Sequence, residues 1–478
     1  MLKTVRTRIA PSPTGIAHVG TAYIALFNYA FAKMHSGKFI IRIEDTDRQR
    51  FVEGAEQIIY DALKWLGIPH DEGVDVGGPF APYKQSERLE TYKKYAQELI
   101  EKGHAYYCFC KPEELEVVRK EQQVQGKVPM YDGRCSKIDP AEAKKRAQAE
   151  RHVVRLKMLN EGKTVWDDLI RGQIEFENEG IDDQVLIKSD GFPTYHMAVV
   201  VDDHLMEITH VLRGEEWISS TPKHIVLYDM LGWEKPVFAH MPLLRNPDRS
   251  KLSKRKNDVS LVSYMQKGYL PEALLNFLCL LGWSHPEGKE IFDLNDFMKH
   301  FTIERMQKTG PVFDFVKLNW MNGVYIREKL TNEELAQRLQ TYLPEDFPKD
   351  RLLSFLPLVK DRLVLLSDIG SLTDFFYKDI SVEKTTLQSK KAADEVIAQQ
   401  LGKTIESMTN TTDWSHAVVE VAIRALQEAN DWQKGQYFMM LRVAVTGRTA
   451  TPPLFETIEV LGKEKVLKRL KSALELFS

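Results

Sequence analysis

The sequence predicts an α/β fold in which a parallel sheet is interrupted by an insertion and followed by an all-helical half. Three observations carry that prediction. The chain opens as strand, Pro-rich turn, amphipathic helix and second strand. Residues 87–151 then turn charged and helical, before strand-like composition returns at 183–188 and 195–201. From Tyr264 onward the sequence is mainly helical, and its last third holds no internal repeat or low-complexity tract.

Each element has a local reason. Tyr23, Leu26, Phe27, Ala30, Phe31 and Met34 recur at the i, i+3, i+4 spacing of one helical face. Gly37 is placed to stop that helix, and Phe39-Ile40-Ile41-Arg42-Ile43 is rich in strand formers. A strand, a helix on its face and a parallel return make a right-handed crossover, and ligands of such sheets sit beyond the carboxyl ends of the strands. Residues 11–20 and Glu44-Asp45-Thr46-Asp47 both lie at such ends and are expected to face one crevice. The islands Cys108-Phe109-Cys110 and Tyr131-Asp132-Gly133-Arg134-Cys135 mark the stretch that reads as a domain inserted into the sheet. Breaks between helices are expected around 344–348 and 446–453.

At 478 residues the chain exceeds one ordinary core, so two to four domains are expected. No apolar leader and no membrane-length apolar run is visible, and four cysteines do not make a disulfide framework. A cytoplasmic protein is expected. A net charge of -3 does not advertise a nucleic-acid binder, but local patches decide that question. One patch, residues 245–256, is basic apart from Asp248; a second, with Lys463, Lys465, Lys468, Arg469 and Lys471, reads as a solvated face or helix end.

Two features can hold a polyanion. The Pro-rich turn stiffens the backbone before a helix N-terminus, where His18 can donate to a phosphate oxygen and Gly20 admits close approach. His18 can equally be a helix cap. Lys251-Leu252-Ser253-Lys254-Arg255 places three cations in five residues, suited to a transferring phosphoryl or nucleotidyl group, or to a plain exposed loop.

Together the Pro11-Ser12-Pro13-Thr14-Gly15 turn with His18-Val19-Gly20, and the later lysine motif, resemble class I aminoacyl-tRNA synthetases. Arg42-Ile43-Glu44-Asp45-Thr46-Asp47-Arg48, Pro193-Thr194-Tyr195-His196, Val201-Asp202-Asp203-His204 and Val211-Leu212-Arg213-Gly214-Glu215-Glu216-Trp217 narrow the resemblance to the glutamyl-tRNA synthetase family. Leu281-Gly282-Trp283-Ser284, Trp320-Met321-Asn322-Gly323 and Thr451-Pro452-Pro453-Leu454-Phe455-Glu456 look like it too. The likeness runs end to end, more loosely between Leu330 and Tyr437. Thr21 stands where many class I enzymes carry a second histidine.

The resemblance implies a Rossmann-like catalytic domain in two halves (1–86 and 185–260) around an inserted tRNA acceptor-binding domain (87–184). A stem-contact domain (261–328) and a helical anticodon-binding domain (329–478) follow. It implies activation of L-glutamate by ATP, with Mg²⁺, and transfer to tRNA(Glu) by a monomer. His18, Gly20, Glu216, Trp217 and Lys254 are expected at ATP, with Lys254 and Lys251 steadying the departing pyrophosphate, and His18, Lys251 and Lys254 are the expected catalytic residues. Arg8 and Arg213 are expected at the two substrate carboxylates, with Ser12, Glu44 and Tyr195 completing the pocket. An arginine fork prefers a carboxylate to the near-isosteric amide of glutamine. Lys317 and Trp320 match positions touching the tRNA body, and Arg442, Arg448, Thr451, Pro452, Pro453 and Leu454 match the anticodon region.

Some family members bind zinc through Cys-x-Cys and a later Cys-x-His. Here Cys108, Cys110 and Cys135 are present, Lys137 replaces the histidine, and Tyr131 can supply a fourth ligand; zinc and reduced core thiols both stay open. The rival readings are an enzyme that also charges tRNA(Gln), a glutaminyl enzyme, a shorter tRNA-modifying relative, and a catalytically silent tRNA-binding paralogue.

Overall fold

The computed structural model describes residues 3–15, 17–252, 259–388 and 392–478. β1 (Arg6–Ile9) is buried along its length and pairs in parallel with β2 (Lys38–Ile41), Arg8 opposite Ile40. α1 (Val19–Met34) crosses between them. It is buried on more than the one face its periodicity marks, because Phe27 also meets Phe297 and Phe301 edge-on at 5.6 and 5.4 Å. Met34, expected on the apolar face, stays exposed. The helix ends through Ser36 in the left-handed region (φ 53°), not through Gly37. Gly37 instead permits a close approach of two backbones, since a Cβ there would stand 2.1 Å from the Val5 carbonyl oxygen.

β3 (Ala105–Cys108), β4 (Val153–Leu156) and β7 (Val185–Ile187) form an antiparallel sheet in the order β3-β4-β7. β5 (Lys163–Asp168) and β6 (Gly172–Glu177) form a hairpin that joins β8 (His210–Gly214) and β9 (Val237–Met241) in the order β6-β5-β9-β8. The parallel sheet therefore resumes at β8 and β9, not at β7, whose partner runs antiparallel. Thr209, just before β8, ties it to β1: its amide donates to the Arg6 carbonyl at 3.0 Å.

Residues 195–201, read as strand from an unbroken apolar run, belong to the helix Tyr195–Leu205. A buried segment of this length has no amphipathic signature to separate the two states. Met197 to Val201 are buried on all sides, in a core with Tyr92, Leu186, Val211 and Tyr228.

The chain divides into two compact units, Met1–Tyr264 with Pro271–Phe315, and Met265–Leu270 with Val316–Ser478. Among the described residues the second unit is built of helices. Its breaks lie where expected, between Asn332–Leu339 and Leu352–Val359 and between Lys434–Thr446 and Leu454–Leu461. Among the described residues no helix is long and apolar enough to cross a membrane.

Candidate active site

Beyond the ends of β1, β8 and β9 lies a cavity of ≈ 990 Å³, lined by Arg8, Ser12, His18, Gly20, Glu44, Tyr195, Arg213, Glu216, Trp217 and Lys251 among others. Lys254, named with them from the sequence, lies outside the described residues. His18 is the N-cap of α1: its Nδ1 accepts from the Gly20 amide at 2.9 Å. In the neutral ring the proton is then on Nε2, so the cap uses only one of the two ring nitrogens. A Cβ on Gly20 would stand 3.0 Å from that Nδ1. The first turn of α1 carries no acid to oppose an anion. The chain after the lysine motif is tied to this turn, Val19 N donating to Val259 O at 2.8 Å and Leu261 N to Ala17 O at 2.9 Å. Lys251 Nζ lies 3.6 Å from Glu216, and the Tyr195 and Trp217 rings meet at 4.2 Å.

Arg8 reaches both oxygens of Asp203, at 3.0 and 3.1 Å, while Arg42 reaches Asp203 at 2.7 Å and Glu44 at 3.1 Å. Burial works against the charge on Arg8, but the Asp203 carboxylate outweighs it and holds the arginine above its ordinary pKa. Burial also works against Asp203, and Arg8 and Arg42 hold that carboxylate below its ordinary value. Burial pushes Glu44 up to about 7, against the pull of Arg42 and Arg8. Sequence reasoning gave Asp203 no role. The available signal was two consecutive acids at the end of a buried apolar run, which must find cations. Asp202 finds Arg88 at 2.7 Å, with Gln85 and Tyr92 at 2.9 and 2.8 Å.

Arg213, on β8, is only 5% exposed and is held differently. Its Nε donates to His240 Nε2 at 3.1 Å, Nη1 to His224 Nδ1 at 3.2 Å and Tyr195 OH at 3.3 Å, and Nη2 to Thr221 Oγ1 at 2.8 Å. Among the described residues no carboxylate pairs with it. An arginine only donates, so each facing ring nitrogen must offer a lone pair. His240 thus carries its proton on Nδ1, donated to Asp168 at 2.5 Å; His224 carries its proton on Nε2, donated to His196 Nδ1 at 3.0 Å. Burial, then repulsion from Arg213, lowers His224 well below the ordinary imidazole value. Burial lowers His240, with Asp168 opposing. Burial lowers Arg213 itself. Nothing local in the sequence marks this shell, which comes from β9 and the helices Tyr195–Leu205 and Thr221–Leu231.

The family described as tRNA synthetases class I (E and Q), catalytic domain, matches residues 4–320, and an anticodon binding domain matches 334–474. The chain belongs to the class I tRNA synthetases of the E and Q group. It is 48% identical to a glutamate–tRNA ligase of Acidothermus cellulolyticus, over 98% of this chain and 95% of that protein. It is 47% identical to one of Pseudomonas putida, over 99% and 96%. The crystal structure of a glutamate tRNA ligase from Elizabethkingia meningosepticum, in complex with its amino acid, superposes with a TM-score of 0.91 at 35% identity and covers 100% of both chains.

In this synthetase Cys108, Cys110 and Cys135 converge. Their sulfurs lie within 4.8 Å of one another, Cys110 and Cys135 at 3.5 Å. The Tyr131 hydroxyl is 3.4 Å from Cys108 Sγ and 3.5 Å from Cys110 Sγ. Tetrahedral zinc, with Zn–S near 2.3 Å, sets sulfurs about 3.8 Å apart, so the spacing of the three thiols fits zinc, with the Tyr131 hydroxyl beside them. Burial, then the Cys135 contact and the charges of the neighbouring cysteines, pushes the Cys110 thiol up to about 12 against the pull of the Tyr131 hydroxyl, a crowding that a cation would relieve.

In the synthetase's helical unit, Trp320 is 45% exposed on the helix Phe315–Val324, which also carries Lys317. Arg442 lies under the 451–452 turn: Nη1 donates to the carbonyls of Thr451 at 3.2 Å and Pro452 at 2.6 Å and bonds the Thr451 hydroxyl. Arg448 grips Asp374 with two bonds of 2.7 and 2.8 Å. Thr451, Pro452 and Leu454 are buried and Pro453 is exposed.

Proposed function

We propose that the chain is a glutamate–tRNA ligase that joins L-glutamate to ATP, releasing pyrophosphate, and passes the glutamyl group to the 3'-terminal adenosine of tRNA(Glu). The observation that supports it most is Arg213, a buried cation with uncharged partners on the cavity that α1 enters with its N-terminus. The substrate's own carboxylate attacks the α-phosphorus; the new C–O–P link forms as the bond to pyrophosphate breaks. No protein nucleophile is required, and the residues position charge.

ATP phosphates lie against the α1 N-terminus, with His18 donating through Nε2 and Gly20 close to the backbone path. Glu216 and Trp217 border the nucleotide. Lys251 and Lys254 stabilise the departing pyrophosphate, to which Mg²⁺ adds neutralising charge. Arg8 and Arg213 take the two carboxylates, Glu44 the ammonium, and Ser12 and Tyr195 donate hydroxyls. Meeting an amide in place of a carboxylate leaves a buried arginine unpaired, a loss of about 3–5 kcal/mol and roughly 10²–10⁴-fold in discrimination.

Residues 87–184 receive the acceptor arm and 329–478 the anticodon, with Lys317, Trp320, Arg442, Arg448 and the turn 451–454 at the tRNA. Cys108, Cys110, Tyr131 and Cys135 hold one structural zinc. The ligase works as a cytoplasmic monomer. Glutamate-dependent ATP–pyrophosphate exchange, with and without tRNA, tests the reading; no exchange in the presence of tRNA overturns it in favour of a silent tRNA-binding paralogue. Charging purified tRNA(Glu) and tRNA(Gln) side by side reads the breadth of specificity.

A further inference from the structure

We infer that the neutral shell of Arg213, built by His224, His240 and Thr221, is a specificity device: these positioning residues orient the guanidinium without compensating its charge, so that compensation is left to a substrate carboxylate. The inference rests on the glutamate site proposed above.

The same cavity shows the alternative. Arg8, which lines the cavity with Arg213, has the Asp203 carboxylate bound to two of its nitrogens. A carboxylate could hold Arg213 with equal geometry, but among the described residues every acceptor it reaches is an imidazole nitrogen or a hydroxyl oxygen. Asp168, which the same His240 contacts, is kept behind that imidazole. Its oxygens accept from His240 Nδ1 and from the amides of His240, Ile170 and Arg171. That set of donors uses the acid to fix the His240 tautomer rather than to meet the arginine. His224 is fixed from its other side by His196, and the Thr221 hydroxyl donates to Trp217 O at 3.0 Å, which turns a lone pair toward Nη2. A buried cation held by neutral dipoles gains most from an arriving anion, whereas one already ion-paired gains little.

The test separates charge from shape. His224→Asn sets a carbonyl oxygen about where Nδ1 stands, and His224→Asp sets a carboxylate there. In glutamate-dependent exchange with tRNA present, the Asn variant is expected to keep the KM for glutamate within a fewfold of wild type. The Asp variant is expected to raise it about 100-fold, with the KM for ATP unchanged in both. Equal glutamate KM values in the two variants, whether both normal or both raised, overturn the inference, since a merely structural histidine responds to shape alone. If thermal melts show that either variant does not fold, Thr221→Asn and Thr221→Asp pose the same comparison at Nη2. A wild type that exchanges with glutamate while the pairs do not differ sinks this inference alone; a wild type that does not exchange sinks the functional reading and the inference with it.

Discussion

In the cavity, Arg213 donates to two imidazoles, a phenol and a hydroxyl brought by three different elements; in the helical unit, Arg442 donates to the carbonyls and hydroxyl of one turn. Burial lowers the pKa of both, and both lack a carboxylate among the partners just named. The difference is where the acceptors come from. A single turn wraps its arginine and is held by it, so this side chain fixes the shape of the turn proposed to meet tRNA. Acceptors gathered around a cavity support the arginine from behind and leave it bordering the space a ligand would enter. A motif arginine is therefore assigned by the origin of its acceptors, not by its exposure or its neighbours in the chain.

Substitutions can break that contrast. Arg213→Ala is expected to lower glutamate-dependent exchange by about 10³-fold, from a loss of roughly 3–5 kcal/mol, while the melting temperature moves little. Arg8→Ala is expected to lose glutamate activation with the KM for ATP largely kept, but with a lower melting temperature, because Asp203 is left to Arg42; intact activation removes Arg8 from the site. Arg442→Ala should do the reverse of Arg213→Ala, destabilising the helical unit by about 1.5–3 kcal/mol in urea unfolding with glutamate exchange unchanged. A fall in exchange to match Arg213→Ala would end the distinction.

Glu44 gives a smaller, pH-dependent effect. Its folded pKa, about 7, lies above the ordinary 4.5, so the unfolded chain loses the proton first. The contribution to stability is full below about pH 4.5 and is lost as pH rises through about 7, by roughly 1.4 kcal/mol per unit at most. Glu44→Gln should flatten that slope in unfolding curves taken at pH 5 and pH 8. Smallest of all, Trp320→Ala should raise the KM for tRNA a fewfold, by about 1 kcal/mol of lost stacking, with glutamate exchange untouched.

The β1-α1-β2 crossover and the crevice at its strand ends were legible because both rest on patterns within a few dozen residues: apolar spacing, a Pro-rich turn, strand formers. The helix Tyr195–Leu205 was not, since a segment buried on every side carries no periodicity to read. Gly37 was marked as a breaker by its type, and its actual reason, the Val5 carbonyl, lies just before β1, far from it along the chain.

By itself the sequence determined which side chains are present at the cavity and on which elements they ride. Only the tertiary structure decided which charges are already answered. Arg8 meets Asp203 from 195 positions away, and Arg213 meets no acid at all among the described residues. Charge compensation acts over a few ångströms in space whatever the separation along the chain, so no local pattern can encode it.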